Sequence, residues 1–188
     1  MARHFHIMAN DDASQAQDIP AAVRQRLQDG TPVLLAPLGP GDAAGLRAGF
    51  AQLSAESRKR RFLHPKATLS DAELRYLTHV DQRDHLAWGA HDLSVKPVAG
   101  IGVARCIRMP DDPRSAEVAL TVVDAYQGRG VGRLLLERLA AAARRQGIHH
   151  FRASAAADNP GALALARHCG ATVERAQEGL VALHLTLD

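Results

Sequence analysis

The stretch that decides the fold is residues 116–171, AEVALTVVDAYQGRGVGRLLLERLAAAARRQGIHHFRASAAADNPGALALARHCGA. It opens as a strand. Glu117, Ala119, Thr121 and Val123 alternate with Val118, Leu120 and Val122, the two-residue period of a pleated segment. From Tyr126 the pattern changes. A glycine loop, Gln127-Gly128-Arg129-Gly130-Val131-Gly132-Arg133, leads into a helix with an apolar stripe of Val131, Leu134, Leu135, Leu139 and Ala142. That helix is expected to end near Gly147. Residues 150–155 read as a strand. Asn159 and Pro160 then suit the N-cap and first turn of a second helix, closed by Gly170. Two short strands, near residues 172–174 and 180–185, finish the chain.

The loop carries the chemistry. Free amides at a helix N-terminus attract anions, and glycines let a phosphate come close. Arg129 and Arg133 add positive charge. The physical reading is a diphosphate cradle; the plainer alternative is a glycine turn with no ligand. Two nucleotide motifs are excluded on residues. The Walker pattern needs Lys-Ser or Lys-Thr after its last glycine, and none follows. The dinucleotide fingerprint needs a glycine where Arg133 stands.

Working outward, residues 85–91, 98–107 and 116–123 suit an antiparallel meander, with Pro110-Asp111-Asp112-Pro113 as a turn. Before it come helices. Asp42 is a candidate cap for a segment with Leu46, Phe50 and Leu53 at helical spacing. A second helical segment covers residues 54–63. Ser70-Asp71-Ala72-Glu73 is a capping box, with Leu69 and Leu74 as its staple, and predicts a helix over 71–79. Residues 33–36, between Pro32 and Pro37, suit a strand. Residues 1–27 read as an appendage, with a short amphipathic helix from Pro20 to about Gln28 ended by Asp29-Gly30. Residues 28–188 read as one domain, without internal repeats.

Composition narrows the function. The chain has 188 residues, 46% hydrophobic and 23% charged, which is globular rather than disordered. Lys and Arg number 23 against 20 Asp and Glu, a net +3. That permits an anionic ligand without arguing for nucleic acid. Two cysteines, Cys106 and Cys169, build no disulfide framework or zinc finger. No run of eighteen apolar residues and no apolar signal core is present. A cytoplasmic, reducing setting is expected.

The order Q-x-x-G-x-G after a strand, then helix, strand and a helix opened by Asn, resembles the GNAT superfamily of N-acetyltransferases. The resemblance implies an α/β (α+β) fold with a mixed, mostly antiparallel central sheet flanked by helices. It also implies a V-shaped cleft at the coenzyme site. It makes Gln127, Gly128, Arg129, Gly130, Val131, Gly132 and Arg133 the cradle for the diphosphate of coenzyme A. The backbone of Val122 and Val123 would pair with the pantetheine arm, and Asn159 would lie beside it. Asp29-Gly30-Thr31-Pro32, LSAESRKRRFLHP, LSDAEL and HVD resemble the acetyltransferase module of bacterial protein-lysine acetyltransferases. The implied activity is transfer of an acetyl group from acetyl-CoA to an amine, a protein lysine or a small molecule, in a ternary complex without a metal. A non-catalytic acyl-CoA sensor is the rival.

Such transfer needs a neutral amine, and a lysine amine, with a pKa of about 10.4, is protonated at neutral pH. Glu117 is the candidate base. An acid amid Ala and Val on a central strand is expected to be buried, with a raised pKa, or else paired with an arginine. The resembled modules carry a glutamate at this place. A backbone amide near Val122 or Val123, freed by a strand bulge, would receive the thioester oxygen. Many GNAT enzymes place a tyrosine seven residues after the Asn as general acid; here that position is Ala166. His168 reads as a helix C-terminal residue rather than an acid, and Cys169 as core rather than nucleophile. Arg58-Lys59-Arg60-Arg61 reads as a solvated face, or as a recruiter of an acidic substrate, the coenzyme 3′-phosphate or nucleic acid. His79, Asp81, His85 and His91 border the expected acceptor side, and Asp81 is the one to test.

Overall fold

The computed structural model describes residues 21–62, 64–175 and 178–187. Its frame is one eight-stranded sheet. In chain order the strands are β1 (Val23–Arg26), β2 (Pro32–Pro37), β3 (His85–Asp92), β4 (Ala99–Arg108), β5 (Ser115–Val122), β6 (His150–Ala156), β7 (Thr172–Arg175) and β8 (Leu180–Thr186). Their spatial order is β1-β2-β3-β4-β5-β6-β8-β7. Every neighbouring pair is antiparallel except β5 and β6. Among the described residues, five α-helices flank the sheet: α1 (Ala43–Ala51), α2 (Ala55–Phe62), α3 (Asp71–Thr78), α4 (Val131–Arg145) and α5 (Pro160–His168).

The expected helix over residues 20–28 is instead strand β1. Val23, Gln25 and Leu27 turn inward while Arg24 and Arg26 stay exposed, a period of two rather than 3.6. Asp29-Gly30 is the hairpin turn, not a helix stop. Gly30 takes φ +86°, and the Thr31 amide donates to Asp29 Oδ1 at 3.0 Å. Leu27 belongs to the main core. The expected boundary at residue 28 therefore falls inside a hairpin of the sheet; residues 1–20 of the expected appendage lie outside the described residues.

Two apolar clusters hold the layers. On one face, Leu135, Leu139 and Ala143 of α4 pack with Leu86, Ile101, Ala104 and Cys106 of the strands. Gly102 makes this seat possible. A Cβ there would lie 3.0 Å from Leu135 Cδ1, 3.1 Å from the Thr121 carbonyl and 3.2 Å from Val131 Cγ1. On the other face Phe50, Leu53, Leu69, Leu74 and Val123 cluster. The capping box of α3 forms as read: Glu73 N–H donates to Ser70 Oγ, and Ser70 N–H to Glu73 Oε2. Asp42 behaves differently from the expected cap. A single 3-10 turn, Pro40–Asp42, precedes α1, and the carboxylate accepts from the Gly39 amide at 2.7 Å.

The end of β3 is tied to the glycine loop through a buried acid. Asp92 is 3% exposed. It accepts from the Ser94 amide at 2.7 Å, the Ser94 hydroxyl at 2.6 Å and the Tyr126 hydroxyl at 2.8 Å. Burial pushes its pKa up, but these donors, with Arg129 nearby, hold it below the ordinary value of 3.8.

Two outcomes follow. Gly102→Ala is expected to destabilise the fold by about 1–3 kcal/mol through overpacking, read as a lower urea midpoint. A depressed folded-state pKa gives stabilisation that is present above the unfolded value and lost as pH falls through the folded one. Asp92→Asn should therefore flatten the decline in the urea midpoint between about pH 5 and pH 2; an identical decline in the variant would contradict this.

Candidate functional site

β5 and β6 pair over only three residues, Ser115, Ala116 and Glu117 against His150, Phe151 and Arg152. Beyond Glu117 they separate. β5 stays paired to β4 as far as Val122, and β6 to β8 along its whole length. The gap is a cleft of about 640 Å³. Val118, Leu120 and Val122 form one wall; Ala153, Ser154 and Ala155 form the other.

The glycine loop stands at this cleft. After β5 a single 3-10 turn, Asp124–Tyr126, leads into it. Gly128 and Gly130 take φ +73° and +90°, values that favour glycine. Gly130 is the N-cap of α4. The amide of Leu134 donates to the Gly130 carbonyl, so those of Val131, Gly132 and Arg133 are the orphan donors of the first turn. All three residues line the cleft. The helix dipole places positive potential there.

The expected loop residues divide into two groups. Gln127 braces the loop: its Nε2 donates to the Val122 carbonyl at 3.1 Å and to Ser57 Oγ at 3.3 Å. Arg129 is turned away from the cradle. Its Nε donates to Asp29 Oδ2 at 2.7 Å, its guanidinium to Thr31 Oγ1 at 2.7 Å, and it lies 4.7 Å over the Tyr126 ring. The guanidinium holds the hairpin rather than adding free charge to the cradle. Arg133 is exposed, with a 3.5 Å contact to Glu137. Asn159 caps α5, accepting from the Ala162 amide at 3.1 Å, and lines the cleft.

Val122 and Val123 also differ. The Val123 amide donates to the Ile101 carbonyl at 2.9 Å, so it is spent on β4. Alternation along the strand turns the Val122 amide to the cleft edge. The expected bulge is absent from β5, which keeps one register with β4 from Ala116 to Val122. The irregularity lies between β3 and β4: Ala90 pairs with Gly102 and His91 with Gly100, so the extra residue, Ile101, is on β4.

Glu117 lines the cleft, but the expected burial is not found, since its side chain is exposed. The alternative, an arginine neighbour, is partly met: its charge acts on Arg61 of α2. Ala166 is buried and lines the cleft, with no proton donor of its own. His168 is exposed at the end of α5. Cys169 is only half-buried and also lines the cleft; burial, then Glu137, push its thiol pKa up, the opposite of a nucleophile.

The basic run is not a uniform solvated face. Lys59 is exposed. Arg58 donates to the Ala67 and Ala51 carbonyls and stacks on Phe50, while Arg60 and Arg61 reach the cleft. Asp81 is a loop organiser: its Oδ1 accepts from the amides of Arg83, Asp84 and His85. Partial burial opposes them, yet these amides keep its pKa below the ordinary value. His79 follows α3 as its C-cap.

Two anchors were missed. Asp124 receives the Ser54 amide at 3.0 Å and the hydroxyls of Ser54 and Ser57 at 2.9 and 2.7 Å, which docks α2 beside the loop. Asp92 holds Tyr126. The only sequence signal was acids at the ends of strands. Among the described residues, no group of three His, Cys, Asp or Glu is placed to hold a metal. No helix there is long and apolar enough to cross a membrane.

Known proteins share this arrangement. The GNAT domain of S. lividans PAT superposes with a TM-score of 0.81 at 32% identity, covering 88% of this chain and 97% of that one. Acetyltransferase Pat of Mycolicibacterium smegmatis is 35% identical over 147 residues, 78% of this chain. The chain spans 43% of that relative's length. An acetyltransferase of Pseudomonas aeruginosa is 30% identical over 127 residues, 68% of each. The acetyltransferase (GNAT) family model matches residues 52–171, which hold the α2 dock, the strand of Glu117, the glycine loop and the Asn159 cap. This chain therefore belongs to the acetyltransferase (GNAT) family.

Proposed function

We propose that the chain is an acetyl-CoA-dependent N-acetyltransferase whose cleft holds the coenzyme and whose Glu117 serves the acceptor amine. One observation carries the reading: the cleft opened by the parting of β5 and β6 runs from the orphan amides of α4 to the strand that bears Glu117. The donor set suits a diphosphate, with the amides of residues 131–133 facing an open mouth and Arg133 beside them. The free edge of β5 at Val122 suits an extended arm that carries amides. Asn159 borders the same arm.

In the reaction the neutral amine attacks the thioester carbonyl carbon. A C–N bond forms as the C–S bond breaks. Glu117 accepts the amine proton, directly or through one water. The Val122 amide, on the cleft edge, donates to the carbonyl oxygen as it gains charge. The coenzyme leaves as a thiolate and takes its proton from water, since Ala166 offers none. The acceptor is an amine, on a protein lysine or a small molecule. A cytoplasmic setting fits, because Cys106 and Cys169 are both free thiols. Buried Ala166 is the observation that favours the second reading, a sensor that binds acyl-CoA without turnover.

Glu117→Gln is expected to lower turnover by about 10²–10⁴-fold with coenzyme affinity nearly intact, measured as release of free coenzyme thiol and by calorimetry. Turnover unchanged across several amines would remove Glu117 from the role; binding with no turnover in the wild type would favour the sensor. Arg133→Glu should weaken acetyl-CoA binding by about tenfold or more, the scale of one charge-assisted contact. Arg129→Glu is a poorer probe because it also breaks the Asp29 anchor.

A further inference from the structure

Two guanidiniums on the acceptor side of β5 remain unused by this mechanism. A second cavity, of about 90 Å³, lies between the sheet and α1–α3. Leu46, Phe50, Phe62 and Leu77 give it largely apolar walls, and Arg61 and Arg105 also line it. Arg61, Ala119 and Thr121 line both this cavity and the coenzyme cleft. Ala119 and Thr121 share the face of β5 that bears Glu117, so the two spaces meet where acetyl transfer would occur.

Arg105 is 5% exposed. It donates to the Leu77 carbonyl at 3.1 Å, and its other terminal nitrogen lies 3.2 Å from His85 Nε2. A guanidinium only donates, so that imidazole nitrogen accepts and carries no proton. Burial, then Arg105, bring the His85 pKa down to about 4, against a smaller opposing pull from Asp81. His85 is therefore neutral and supplies no counter-charge. Arg61 is half-buried and lies 4.8 Å over the Phe62 ring. Among the described residues neither guanidinium has a carboxylate at ion-pair distance. Asp42 and His91 also line the cavity, but Asp42 is engaged by the Gly39 amide. Tyr76 stacks on His85 with 5.3 Å between ring centres. Burial, then the charge of Arg61, bring the Arg105 pKa down to about 10, still cationic at pH 7.

Buried charges in folded proteins are paired, because an unpaired one is costly. Here two cations line an apolar cavity beside Glu117, which on the reading above serves the amine, while Asp42 is engaged by the Gly39 amide. We propose that Arg61 and Arg105 bind a carboxylate of the acceptor, which is a small amine of the amino-acid class. The inference rests on the acetyltransferase reading of the cleft. A carboxylate would take the charge of Arg61, Arg105 and Glu117 from +1 to zero. A polyamine would add positive charge to a site already positive. A peptide lysine beside an acidic residue offers the same chemistry from a second source.

The test compares acceptors in matched pairs: free amino acids against their carboxamides and decarboxylated amines, and peptides with lysine beside Glu or beside Gln. Rates are read as coenzyme thiol release from acetyl-CoA. Binding of each acceptor to the coenzyme-A-loaded protein is read by calorimetry. The expected result is a kcat/KM for the carboxylate member at least tenfold above its carboxamide among free amino acids. That ratio should fall tenfold or more in Arg61→Gln and in Arg105→Gln. Arg61→Gln serves if loss of the buried Arg105 prevents folding. Equal rates within pairs, better use of the peptides, or coenzyme binding with neither turnover nor acceptor binding would each overturn the inference. The first two outcomes leave the acetyltransferase reading intact. Failure to bind acetyl-CoA overturns that reading, and the inference with it.

Discussion

The early end of the β5–β6 ladder is the constraint on which the rest depends. After Glu117 and Arg152 the two strands share no register, yet each is held on its other side. β4 fixes β5 through Val122, and β8 fixes β6 through Ala156. The gap cannot close without breaking one of those ladders. It leaves backbone polar groups along an edge inside the sheet, and a buried polar group left without a partner costs about 1–3 kcal/mol. Water or an amide-bearing ligand must satisfy them. On the proposed reading, the seat for an extended arm is set by sheet topology, before any side chain is considered.

The side chains around the cleft act mainly as braces. Asp124 draws in the start of α2 through Ser54 and Ser57. Arg129 ties the loop to the β1–β2 turn through Asp29 and Thr31, and Asp92 holds Tyr126 beneath it. These contacts give a physical meaning to the upstream segments that resemble protein-lysine acetyltransferase modules. Asp29-Gly30-Thr31 and the serines of LSAES are the pieces that grip the loop. The same bracing brings Arg60 and Arg61 to the cleft, so a run that reads as a surface face becomes part of the site.

Sequence reasoning reached the parts set by local rules. The glycine loop, the stripe of α4, the Ser70–Glu73 box and the Asn159 cap each arise from neighbours within one or two turns. It failed where distant partners decide. The helix expected over residues 20–28 failed because Asp29-Gly30 suits a hairpin as well as a helix stop, and pairing with β2 settles the choice. Glu117 follows buried Ala116 on a central strand, yet its own side chain is exposed at the cleft. The Val123 amide looked available, but Ile101, far back in the chain, takes it. Asp81 stood among histidines that suggested chemistry; its carboxylate is spent on three local amides.

On the proposed reading the splayed strands, the helix N-terminus and Glu117 form one acetyl-transfer site. A crystal structure with acetyl-CoA bound tests it most directly. The diphosphate is expected on the amides of residues 131–133, the arm along β5 at Val122 and the thioester on the side that faces Glu117. Coenzyme bound elsewhere, or with its thioester remote from Glu117, would contradict it.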